Sequence, residues 1–93
     1  MGNSVINMTL TSDDSFSDVL EVNGNFNFGI VTTAFEGTVT LQRKFNSSEP
    51  WKDVNNYTDN FEGWDTQPNG ATFRAGIKPG DYTSGIAYIR LSN

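Results

Sequence analysis

Short stretches with a two-residue apolar period recur along this chain at intervals of about ten residues, punctuated by turn-forming clusters. The clusters are Thr11–Ser15, Asn23–Asn25, Ser47–Pro50, Gln67–Gly70 and Pro79–Gly80. Each is rich in residues that accept unusual backbone angles or bond nearby backbone through short polar side chains. No long window carries helical periodicity, so the chain is predicted to be all-β.

The most sharply defined unit is Gly37–Trp51. From Thr38 to Phe45 the residues alternate, with Val39, Leu41, Arg43 and Phe45 on one face and Thr38, Thr40, Gln42 and Lys44 on the other. Pro50 fixes its own φ and has no N–H to donate, so the strand must stop there and Trp51 opens a returning strand. Asn46 followed five residues later by Trp51 resembles an Asp-box hairpin, with Lys44 where that pattern has Ser or Thr and Ser48 where it often has Gly. Asn46 and Trp51 are read as a structural staple, the amide tying down the turn and a buried Trp51 packing behind it.

Further strands are expected at 4–10, 18–22, 26–35, 51–57, 71–78 and 85–92, with 61–65 either a short strand or an ordered loop. Asn23-Gly24 reads as a hairpin turn closing the second of the chain's strands. Ala71, Phe73, Ala75 and Ile77 share one face, as do Ala87, Ile89 and Leu91, while Ile86, Tyr88 and Arg90 point the other way. Seven to eight short antiparallel strands of this kind make a single β-sandwich, immunoglobulin-like or jelly-roll, with residues 1–93 as one domain. Residues 1–16 can either join that sheet or serve as an N-terminal arm that reaches a neighbouring subunit.

With 35% apolar residues the core is thin, and seven Phe among the 93 residues must supply much of it. The chain has no Cys and no His, which removes Cys-based zinc and redox chemistry together with the commonest general base and metal ligand. No enzyme, catalytic residue, cofactor or metal is expected. Asp13, Asp14 and Asp18 lack the spacing of a calcium loop, and Asp59, Glu62, Asp65 and Asp81 are scattered, so both groups read as solvated carboxylates.

The formal charge is −5, and residues 1–42 hold five acids with no Lys or Arg. A chain without a basic stripe is a poor partner for nucleic acid or an anionic membrane. The N-terminus has neither a basic segment nor an apolar one, and no apolar run is long enough to span a bilayer, so a cytoplasmic product is expected. Tyr57, Trp64 and Tyr82 fall in loops or at strand ends and are the candidate binding-surface aromatics. Rings placed there can stack on sugars or anchor a protein interface.

The run from Glu36 to Phe45, the segment Trp51-Lys-Asp-Val54 and the last strand Thr83–Ser92 resemble small β-sandwich virion proteins of tailed bacteriophages. The likeness covers residues 26–93 and leaves 1–25 outside it. That family includes capsid decoration (cement) proteins and carbohydrate-binding modules of fibres. What the resemblance implies is a non-enzymatic structural protein of the virion, made in the host cytoplasm. It would bind the major capsid protein on the outer capsid surface and stabilise the head as a homo-oligomer, with a trimer favoured. The alternative is a carbohydrate-binding module of a fibre or adhesion protein. Because the chain opens on Met1 and ends just after its last strand, a stand-alone protein is the expected form.

Overall fold

A computed structural model describes residues 4–46 and 48–93, so Met1–Asn3 at the start of the expected arm and Ser47 in the expected hairpin turn lie outside the described residues. Among the described residues seven antiparallel strands form: β1 (Val5–Leu10), β2 (Ser15–Phe16), β3 (Leu20–Gly37), β4 (Val39–Lys44), β5 (Lys52–Tyr57), β6 (Phe61–Ile77) and β7 (Tyr82–Ser92). They join in the order β1-β7-β3-β6-β4-β5, with β2 paired to β6 beside them. The all-β expectation holds, and this order supplies the topology that the sequence leaves open.

The sheet is one continuous ladder that folds over itself. β5 and β3 are three places apart in the strand order, about 14 Å in a flat sheet. Yet the rings of Tyr57 on β5 and Phe28 on β3 lie 5.4 Å apart. The two ends of the sheet therefore close on a single core, and the molecule is 17 Å across its thinnest dimension, as two layers should be.

Two strands are long because two turn signals cancel. Asn23-Gly24 and Gln67–Gly70 were each expected to reverse the chain, but they face one another across the β3–β6 ladder. Val22 pairs with Ala71 and Gly24 with Gln67, so β3 advances two residues where β6 advances four. The positive φ of Gly24 (107°) and Gly70 (88°) absorbs the mismatch, and the Gly70 N–H donates to Asn23 Oδ1 at 2.9 Å. The result is a bulged bend in a two-strand ribbon of 18 and 17 residues, in place of two hairpin turns.

The bend leaves the alternation intact. Leu20, Val22, Phe26, Phe28 and Ile30 on β3, Ala71, Phe73, Ala75 and Ile77 on β6, and Ala87, Ile89 and Leu91 on β7 all point into one core. Phe26 stacks on Phe73 with centroids 4.1 Å apart, so rings do fill the centre.

Residues 5–16 are no detached arm. β1 pairs along its whole length with β7, Val5 opposite Ser92 and Leu10 opposite Ala87. Leu10 is fully buried, and Ile6 and Met8 pack against the core. Ser17, next along, is tied down twice: its N–H donates to the Ala75 carbonyl and its hydroxyl accepts from the Ala75 N–H.

Candidate functional site

The outer surface divides into two faces that treat their polar and aromatic groups in opposite ways. On the face formed by β2, β6, β4 and β5, the side chains expected to meet water on β4 are covered. Thr40 Oγ1 donates to Asn56 Oδ1 at 2.9 Å. Gln42, only 6% exposed, donates to Asp53 Oδ1 and accepts from Arg74 Nε, at 2.9 and 2.8 Å. Each buried group here has a partner, which removes the cost of leaving it dry.

Rings and cations cover the rest of that face. The Arg74 guanidinium lies 4.2 Å from the Phe16 ring centre and 4.6 Å from that of Trp51, and Lys44 Nζ lies 4.6 Å from the same indole. Burial between the rings pulls the Arg74 pKa below its ordinary value, with the Asp14 carboxylate opposing that shift. Lys78 Nζ meets Asp53 Oδ2 at 2.7 Å. Hydrogen bonds from Lys78 and then Gln42 lower the Asp53 pKa, and the same Asp53 bond raises that of Lys78.

The β4–β5 hairpin forms at the predicted place. Asn46 Oδ1 accepts from the Ser48 N–H at 3.0 Å and the Ser48 hydroxyl at 2.6 Å, while a Glu49 carboxylate oxygen accepts from the Phe45 N–H. Trp51 is half-buried and lies on the outer face between its two cations, so the expectation that it packs into the core is corrected. The register explains why. Arg43 pairs with Lys52, which puts the residue before Lys52 on the side of Lys44, away from Leu41 and Val39.

The opposite face, formed by β1, β7, β3 and the first half of β6, is left open. Asn7 pairs with Arg90, Arg90 with Gly29, and Gly29 with Glu62, in one row across four strands. Two residues to either side along β3, Asn27 pairs with Trp64 and Val31 with Tyr88. Trp64 is 79% exposed, Val31 59% and Tyr88 43%. Gly29 has no side chain, and the neighbours rising around it enclose a shallow groove of about 760 Å³.

Of the three aromatics chosen from sequence, only Trp64 borders this groove. Tyr57 is spent on packing, 4.5 Å from Phe61 and 5.4 Å from Phe28 between ring centres, and burial pushes its phenol pKa up. Tyr82 leans on Phe35 at 6.4 Å and donates its hydroxyl to the Gly85 carbonyl at 2.9 Å. Tyr88, Arg90, Asn27 and Gly29 belong to the groove and were missed. The outward phase of Tyr88 and Arg90 was visible in the alternation, but their place on one face with Trp64 requires the non-sequential order β7-β3-β6.

The carboxylates serve locally. Both oxygens of Asp13 accept from the Gly80 N–H, at 2.9 and 2.8 Å, and Asp59 lies 3.3 Å from the Thr32 hydroxyl. Among the described residues no three His, Cys, Asp or Glu side chains are placed to hold a metal, and no helix is long and apolar enough to cross a membrane. Comparison with protein-family models, with curated proteins and with solved structures returned no match.

Proposed function

We propose that this chain is a non-enzymatic structural protein of a tailed-phage virion, which decorates the outer capsid surface as a closed homo-oligomer and stabilises the head. The observation that supports this reading is the β1 edge of the sheet. β1 is the terminal strand of the ladder, so one side of its backbone is free to pair. From Ser4 to Ser12 the chain has no Lys, Arg, Asp, Glu or Pro, the residues that normally keep such an edge from pairing.

The strand at the opposite end of the order, β5, is protected. β5 carries Lys52 and Asp53, is exposed from Lys52 to Asn56, and meets β4 through a register shift between Leu41 and Gln42. An unprotected edge beside a protected one suits a chain that is covered by a neighbour on one side only. The resemblance of residues 26–93 to small β-sandwich virion proteins of tailed phages, capsid decoration proteins among them, is what suggests the major capsid protein as the wider partner and the virion surface as the location.

Symmetry sharpens the expected trimer. Pairing β1 with a second β1 makes a two-fold dimer, whereas a three-fold ring requires β1 to meet a different surface of its neighbour. The test is to measure solution mass, then sediment undecorated heads of the encoding phage with wild-type protein and with Val5→Lys. Wild type should be trimeric and pellet with the heads, and Val5→Lys should be a folded monomer that stays in the supernatant. A wild-type monomer that ignores the heads, or a lysine variant that assembles and binds as before, contradicts the reading.

A further inference from the structure

We infer that the groove over Gly29 is a binding site for a neutral polysaccharide, a function independent of the virion role proposed above. Its floor is bare because Gly29 stands between Arg90 on β7 and Glu62 on β6 with no side chain of its own. Its two ends are aromatic. Trp64 and Tyr88 lie four residues apart along the strand direction, about 13 Å, and two strand spacings apart, about 10 Å, which separates them by roughly 16 Å. That span suits several linked sugar rings and is too long for one.

The chemistry of the lining matches such a chain. Sugar rings present C–H faces, which stack on aromatic rings, and rims of hydroxyls, which both donate and accept. Between the aromatics, Arg90 can only donate, Glu62 can only accept, and the Asn27 amide does both. The guanidinium and the carboxylate flank Gly29 on either side, so the floor carries no net charge. The chain as a whole carries −5, which disfavours an anionic polymer. Trp64, left 79% exposed while Trp51 is covered by two cations, is the ring available for stacking.

The test is native electrophoresis of the whole protein in gels containing barley β-glucan, galactomannan or dextran, with alginate as the anionic control. Wild type should be retarded in at least one neutral gel and not in alginate. Trp64→Ala should weaken that retardation about tenfold, the loss of one stacking ring. Gly29→Val should abolish it by filling the floor. A Cβ at this position meets only the Phe61 carbonyl oxygen, at 3.9 Å, so the backbone leaves room for the first carbon of the plug. Both variants should keep the wild-type melting temperature, and if Gly29→Val does not, Trp64→Ala alone carries the test. Free migration in all three neutral gels, retardation in alginate only, or equal retardation of wild type and Trp64→Ala overturns the inference. So does a Gly29→Val protein that loses only its sedimentation with phage heads, since the groove would then be a protein contact.

Discussion

Trp51 and Trp64 stand on the two outer faces of the same folded sheet, the first between the cations of Lys44 and Arg74, the second with 79% of its surface in solvent. Around Trp51 every polar group that the fold buries is hydrogen-bonded, and the rings of Phe16 and Trp51 are capped by charge. On the face of Trp64, across a glycine floor, lie Val31 and Tyr88, both substantially exposed. One face spends its side chains on the fold, and the other holds them in reserve. Exposed aromatic and apolar groups gathered on a rigid sheet mark a surface that meets something else.

Both faces rest on one core, so the largest effect should come from breaking it at β1, the strand whose pairing the sequence leaves open between its own sheet and a neighbour. Leu10→Ala should cost about 2–5 kcal/mol, a large share of the stability of so small a domain. Urea unfolding measures it. A variant as stable as wild type would show that β1 adds nothing to the core.

The covered face comes next. Arg74→Ala uncaps two rings and leaves the Gln42 carbonyl oxygen without its donor in a buried site, at a cost of about 1–3 kcal/mol. Trp51→Ala should cost less, about 1–2 kcal/mol, because the indole is half-buried and interacts mainly with its two cations. Trp64→Ala should change stability by no more than about 0.5 kcal/mol. Equal losses for the two tryptophans in the same urea series would erase the distinction between the faces.

The smallest effect is a pH dependence. Asp53 has a lowered pKa, so what it contributes is present above the ordinary carboxylate range and is lost as pH falls through the lowered value. Lys78 has a raised pKa, so its contribution is present below the ordinary lysine range and is lost as pH rises through the raised value. Thermal melts of wild type and Asp53→Asn should therefore differ slightly between about pH 5 and 9, converge in strong acid, and draw closer in strong base, where the Gln42 bond to Asp53 outlasts the Lys78 pair. A gap that persists in strong acid would locate the effect of the substitution elsewhere.

Local pattern was legible where a strand has one face in the core. The phases of β6 and β7 and the β4–β5 hairpin follow directly from alternation and from Pro50. The turn signals at Asn23-Gly24 and Gln67–Gly70 were misleading because an Asn-Gly pair can reverse a chain or bend it, and only the facing strand decides which. β4 defeated the inside-outside rule for a similar reason. Flanked by β5 and β6, it has Thr40 and Gln42 buried on its outer side under neighbours that are remote in sequence. The groove was the least legible feature, since Trp64, Gly29 and Tyr88 lie far apart along the chain and meet only through the strand order.

The difference between the two tryptophans can be read from single-tryptophan proteins. Trp51→Phe leaves Trp64 as the only indole, and Trp64→Phe leaves Trp51. Acrylamide is the quencher of choice, because a neutral molecule is blind to the charges of Lys44 and Arg74. The protein that keeps Trp64 should be quenched steeply, close to free indole, and the one that keeps Trp51 should be clearly shielded. Equal slopes, or a shielded Trp64, would contradict the division of the surface into a covered face and an open one.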